Sequence, residues 1–120
     1  MLGLAFKPET DDMRDAPSLP LVHGLVSRGA IIQAYDPEAM AAARPLLPPD
    51  VRLMPDATRA LTGADALVLI TEWNEFRALA PARLKETMRG NVVVDLRNVF
   101  DPGALRAAGF SYTGIGRAAA

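Results

Sequence analysis

Two cations, Lys7 and Arg14, flank the polar segment Pro8-Glu9-Thr10-Asp11-Asp12-Met13. A guanidinium can grip two phosphate oxygens at once, and an ammonium can neutralise a phosphate or hydrogen-bond a sugar hydroxyl. The segment follows an apolar run, residues 1–6, that reads as a strand, and it precedes an amphipathic helix expected to start near Ala16. A strand-to-helix turn is where open α/β folds bind phosphates, most often through glycines that let backbone N–H groups approach the anion. This turn contains no glycine, so its anion chemistry has to come from side chains. Pro8 stiffens it.

The ends of other apolar runs raise the same question. Residues 66–71 are almost wholly apolar and branched, the pattern of a central parallel strand buried on both faces, with Thr71, Glu72 and Trp73 at its end. Residues 92–95 form the next such strand, and Arg97 follows it. Arg97 can bind a ligand or pair with Asp95, and Glu72 can hydrogen-bond into a crevice or to Arg97. Trp73 can line a crevice or cover the sheet edge, and packing is the more common role of a tryptophan. Arg14 can bind an anion or form a salt bridge with Asp11, Asp12 or Asp15. The adjacent carboxylates Asp11 and Asp12 fit capping and Asx turns better than an acid/base pair.

Asp36 stands where dinucleotide-binding folds place an acid for the ribose. No G-x-G-x-x-G precedes it, however, and Asp36-Pro37 is an ordinary helix start. Gly114 and Gly116 make only a partial G-x-G with no helix after it, and Arg117 reads as a tail arginine. His23, beside Val22, reads as a packing or surface residue of its helix.

Positioning these residues takes an alternation of strands and helices. Leu21, Val22, Leu25 and Val26 recur at helical spacing, with Asp15 as a candidate N-cap and Gly29 as a stop. Further strands are expected over residues 30–35, 51–54, 66–71, 92–95 and 110–113. Helices are expected from Pro37, over 56–61, 74–79 and 81–88, and from Asp101-Pro102 to Gly109. Such alternation gives a mostly parallel sheet with helices on both faces.

The chain has 120 residues, the size of one domain, and half of them are hydrophobic. With 13 basic and 14 acidic residues, its net charge of −1 offers no bulk attraction to nucleic acid or to an anionic membrane. No apolar run approaches the ~20 residues of a membrane span, and the start lacks a signal peptide's layout, which leads to the expectation of a cytoplasmic protein. The absence of cysteine excludes disulfides, thiolate metal sites and thiol nucleophiles, and a single histidine excludes a histidine-rich metal site.

The motif G-L-A-F-K-P-E-T-D-D-M-R-D-A-P-S, residues 3–18, closely resembles the opening of the C-terminal, nucleotide-sugar-binding domain of the UDP-glucose/GDP-mannose dehydrogenases. A-Y-D-P (34–37), A-L-V-L-I-T-E-W-N-E-F (66–76), V-V-D-L-R-N (93–98) and G-F-S-Y-T-G-I-G-R (109–117) resemble that domain in the same order. The T-D-D-M-R-D-A-P-S wording is most like the UDP-glucose branch.

The resemblance implies a three-layer, Rossmann-like α/β domain with a mostly parallel sheet of about six strands. It implies that residues 1–120 are the nucleotide-sugar-binding part of an NAD-dependent enzyme that oxidises the C6 alcohol of UDP-glucose to a carboxylate. The N-terminal NAD-binding domain and the central domain of that enzyme lie outside this sequence. Phe6, Lys7 and Arg97 are implied as substrate-binding residues. Arg14 is implied to reach the pyrophosphate of NAD, whose main site is on the N-terminal domain. That family's nucleophile is a cysteine in the N-terminal part, so no catalytic residue and no metal ligand is expected here. The implied partners are a UDP-sugar, the N-terminal dehydrogenase domain and further copies in a homo-oligomer. The alternatives are a UDP-N-acetylmannosamine or GDP-mannose dehydrogenase domain, or a stand-alone, noncatalytic nucleotide-binding or interaction module.

Overall fold

The computed structural model describes residues 1–115. Its strands all pair in parallel. β1 (Gln33–Ala34) pairs with β2 (Arg52–Leu53), and β3 (Ala66–Leu69) pairs with β4 (Val92–Asp95), which pairs in turn with β5 (Ser111–Gly114). Leu2 makes isolated parallel bridges to Tyr35 and to Leu69, so the first segment lies between the two sheets. In place of one sheet of about six strands, the ladder thus comprises a two-stranded and a three-stranded sheet that both touch Leu2.

The expected strand over residues 1–6 fails for a local reason. Gly3 adopts φ 94°, a left-handed conformation, and a Cβ placed there would lie 2.5 Å from the backbone nitrogen of Thr71. Only glycine fits both the dihedral and the close approach. Beyond it, residues 4–6 leave the ladder.

The helices are α1 (Ser18–Ser27), α2 (Met40–Ala43), α3 (Ala57–Leu61), α4 (Asn74–Arg77), α5 (Pro81–Thr87) and α6 (Pro102–Ala107), with a 3₁₀ turn at Arg44–Leu46 after α2. Asp56 and Asp101 cap α3 and α6 through the amides of Arg59 and Gly103, at 2.7 and 3.0 Å. Asp15 does not cap α1. It sits at φ 55°, and the helix starts after Pro17 without a side-chain cap. Gly29, at φ 91°, ends that helix.

Two apolar layers flank the sheets. Leu67, Leu69, Val93 and Tyr112 point to one side, where they pack with Leu61, Phe76, Leu84 and Leu105 from α3 to α6. Leu4, Ala34 and Ile70 point to the other, against Val22 of α1 and Ala43 of α2. This second layer covers the sheet unevenly. Val68 and Val94 are half-buried and Val92 is exposed, so β3 and β4 are not buried on both faces as their composition predicts. Among the described residues, no helix is long and apolar enough to cross a membrane.

Candidate functional site

In β3, β4 and β5, Leu69, Asp95 and Gly114 stand in register, so the loops that follow these strands leave from one carboxyl edge. Phe6 and Lys7 reach the same edge after Gly3. Ladder pairing is replaced there by side chains. The Leu4 N–H donates to Asp36 Oδ2 at 2.8 Å and the Ala5 N–H to the same oxygen at 3.0 Å. The Leu4 carbonyl accepts from Ser18 Oγ at 2.7 Å, and the Ala5 carbonyl from Thr71 Oγ1 at 2.8 Å. The Phe6 N–H donates to the Asp12 carbonyl at 2.9 Å, and the Phe6 carbonyl accepts from Arg97 Nη2 at 2.9 Å. Every backbone polar group of residues 4–6 is therefore paired, mostly by side chains from distant parts of the chain.

Lys7 is the first residue past this clamp. It is exposed, and its positive field reaches the Asp12 carboxylate. Phe6, beside it, is 43 % exposed, unusual for a phenylalanine next to a fully buried stretch.

Arg97 is held from several directions. Its Nε donates to the Ile70 carbonyl at 2.7 Å, Nη2 binds Phe6 as above, and Nη1 lies 3.8 Å from Glu72 Oε2. The guanidinium thus ties together the ends of the first segment, β3 and β4. It lies beside Phe6, and of the two ion-pair partners open to it in the sequence, Asp95 and Glu72, it meets Glu72. The Asp95 carboxylate instead accepts from the Arg97 and Phe100 amides and from the Tyr112 hydroxyl, at 3.2, 2.8 and 2.9 Å.

Arg14 lies further along the loop. Its guanidinium makes a two-pronged contact with Asp12, Nε to Oδ1 at 3.1 Å and Nη2 to Oδ2 at 3.0 Å, while remaining 90 % exposed. The hydrogen bond from Arg14 holds the Asp12 carboxyl below the usual carboxylate range, and Asp12 raises Arg14 in return. An exposed pair of this kind stabilises little, so Arg14 can exchange Asp12 for another anion at small cost. Glu9, Asp15 and Asn98 all have positive φ, at 64°, 55° and 54°. All three are on the loops of this edge, where strained backbone is characteristic of binding sites.

Asp36 is fully buried and accepts five hydrogen bonds: Leu4, Ala5 and Trp73 Nε1 (3.3 Å) on Oδ2, and the Glu38 and Ala39 amides (both 2.9 Å) on Oδ1. Oδ1 closes the Asp36–Ala39 turn and does not cap a helix as expected: the helix expected from Pro37 begins only at Met40, with Ala39 at its N-cap and no side-chain cap. With both oxygens committed, it does not stand free to grip a ribose, and the turn after Gly3 lacks the glycines of a dinucleotide loop. Asp36 and the turn after Gly3 therefore do not together form a main dinucleotide site. Trp73 is 6 % exposed and packs in the core, as its type predicts.

Sequence reasoning did not single out Ser18. Its only signal is its place at the end of the D-A-P-S stretch. Gly116 and Arg117 lie outside the described residues.

The model for the UDP-glucose/GDP-mannose dehydrogenase family, UDP binding domain, matches residues 1–102. The chain belongs to this family. It is 50 % identical over 117 residues to a UDP-glucose 6-dehydrogenase of Rhizobium meliloti, a match that covers 98 % of this chain and 26 % of the relative. It is 43 % identical over 120 residues to a UDP-glucose 6-dehydrogenase of Pseudomonas aeruginosa, covering 96 % and 26 %. Among solved structures, a UDP-glucose dehydrogenase from Pyrobaculum islandicum is similar with a TM-score of 0.79 at 35 % identity, covering 98 % of this chain and 24 % of that one. An NDP-N-acetyl-D-galactosaminuronic acid dehydrogenase from Methanosarcina mazei is similar with a TM-score of 0.84 at 31 % identity, over 98 % and 24 %. The chain therefore spans about a quarter of the length of these family members.

Proposed function

We propose that this chain is the nucleotide-sugar-holding domain of a cytoplasmic, homo-oligomeric, NAD-dependent dehydrogenase that oxidises the C6 alcohol of UDP-glucose to the carboxylate of UDP-glucuronate. The observation that carries the reading is the clamped strand end, which presents Phe6 and Lys7 beside Arg97 at one sheet edge. Lys7 meets the nucleotide's phosphate or a sugar hydroxyl, the aromatic face of Phe6 covers the ligand, and the donors of Arg97 left over from its backbone contacts face the sugar nucleotide. Arg14 leaves Asp12 to reach the cofactor's pyrophosphate.

The cofactor supplies hydride acceptance. NAD is held mainly by a separate N-terminal domain, which also brings the cysteine nucleophile, because this chain has no cysteine. What this chain contributes is binding and orientation, which can account for a large part of a rate enhancement. An apolar cleft of about 610 Å³ at the opposite sheet edge gives it ground for packing against the rest of such an enzyme.

Calorimetric titration with UDP-glucose, UDP-N-acetylmannosamine and GDP-mannose tests the proposal. UDP-glucose should bind tightest, and Lys7→Ala should weaken it about tenfold, the worth of one charge-assisted hydrogen bond. Tighter binding of either competitor moves the assignment to that branch. Equal affinity of wild type and Lys7→Ala removes Lys7 from the site.

A further inference from the structure

We propose that Asp36 is a positioning residue for ligand recognition, acting through the backbone of residues 4–6 on Lys7 and never touching the ligand itself. The inference rests on the nucleotide reading for its ligand, but its geometry stands apart from it. The Leu4 and Ala5 amides converge on a single oxygen of Asp36, at 2.8 and 3.0 Å. Successive amides that converge in this way form a concavity suited to an anion. Here the protein fills it with its own carboxylate, fully buried and anchored on its other oxygen by the first amides of the Asp36–Ala39 turn. The position that a glycine-rich turn offers to a phosphate is therefore occupied from within, and anion binding passes to the side chains beyond it.

The geometry also fixes where Lys7 begins. The peptide plane between Leu4 and Ala5 is held by Asp36 on its N–H and by Ser18 on its carbonyl, 2.7 Å away. The plane between Ala5 and Phe6 is held by the Asp12 carbonyl and by Thr71, and the plane between Phe6 and Lys7 by Arg97. The lysine's main chain is thus set by consecutive gripped planes, while its side chain stays free in solvent. Asp36 also receives Trp73 Nε1 at 3.3 Å, which couples the end of β3 to the same carboxylate.

The test uses UDP as probe with five forms of this chain: wild type, Asp36→Asn, Thr71→Val, Lys7→Ala and the double variant Thr71→Val/Lys7→Ala. Asn places an NH₂ group against amide donors, and Val removes only the hydroxyl that holds the Ala5 carbonyl. Asp36→Asn and Thr71→Val should each lower UDP affinity about tenfold. In the Lys7→Ala background Thr71→Val should cost clearly less than the roughly tenfold it costs in the wild type, because part of the clamp's effect passes through Lys7 and the remainder through Phe6. Full additivity, or no loss in either single variant, overturns the proposal.

If Asp36→Asn fails to fold, Thr71→Val and Ser18→Ala, which removes only the hydroxyl on the Leu4 carbonyl, carry the comparison. If wild type binds no UDP, the nucleotide reading falls. The positioning claim is then decided by amide exchange in the free protein, where Thr71→Val and Ser18→Ala should speed exchange at Leu4, Ala5 and Phe6 but not in β4. Unchanged exchange at those amides overturns it.

Discussion

At the carboxyl edge of the sheets, residues 4–6 pair all their backbone groups with Asp36, Ser18, Thr71, Arg97 and the Asp12 carbonyl, and strained residues crowd the loops. At the amino edge, Leu25, Ile31, Ile32 and Val68 line a cleft of about 610 Å³ together with Arg52 and the Asp65–Arg89 pair, and Ile31 is 76 % exposed there. The difference teaches what each edge is for. Hydrogen-bonded side chains fix geometry to within tenths of an ångström, which a binding group needs. Apolar surface fixes little, but it stabilises whatever covers it. The cleft is therefore the weaker candidate for the ligand site, because its charged pair, Asp65–Arg89, is exposed and its two members already satisfy each other.

The contrast can be broken by substitution, and the largest effect is expected at its structural base. Gly3→Ala forces a Cβ against Thr71 at a left-handed dihedral, so denaturant unfolding should show a loss of about 3 kcal/mol or more, combining backbone strain with overpacking. A change below about 0.5 kcal/mol would mean that the close approach at Gly3 does not hold the strand end in place.

Arg14→Ala tests the outer part of the same edge in the full-length enzyme. The NAD requirement should rise several-fold while the sugar-nucleotide requirement stays the same. An unchanged NAD dependence would leave Arg14 only its exposed pair with Asp12. At the amino edge, Ile31→Glu should leave UDP affinity of this chain within about twofold, because no clamp element depends on it. A large loss there would undo the division of labour.

A separate effect is one of pH. Burial, together with a hydrogen bond to Glu75 at 3.0 Å, pushes the Tyr35 hydroxyl up to about 12. The folded state therefore holds this proton more tightly than the unfolded chain, whose tyrosine titrates near 10. The stabilisation is complete below pH 10 and disappears as pH rises towards 12. Comparing melting temperatures of wild type and Tyr35→Phe from pH 9 to 11 should show the two curves converging as the wild type loses this term. Parallel curves would mean that Tyr35 titrates alike in both states.

Much of the fold was legible in the sequence because it is written in local patterns. The apolar run at residues 92–95 became β4 at the expected bounds, and Asp101-Pro102 opened α6 as capping chemistry dictates. What was not legible depends on partners far along the chain. The apolar content of residues 1–6 reads as a strand, and nothing local reveals that Gly3 must turn against Thr71. Asp15 has the right type for a cap, but a left-handed backbone carries it out of position. A turn at Asp36 was visible from its neighbour Pro37, although the helix expected there begins only at Met40. The grip of Asp36 on Leu4 and Ala5 was not, since it spans more than thirty positions. Burial on both faces failed for β4 because full coverage is a property of the assembly and not of the strand's composition.

The ligand site proposed above lies at the carboxyl edge, on the clamp, and not in the amino-edge cleft. The most direct measurement is a nitrogen–proton correlation spectrum of the labelled chain recorded during titration with UDP. The amides of Phe6, Lys7 and Arg97 should shift in step with saturation, while those of Ala30, Ile32 and Asp65 stay in place. Shifts confined to the Ala30, Ile32 and Asp65 group would put the nucleotide in the amino-edge cleft and contradict the account.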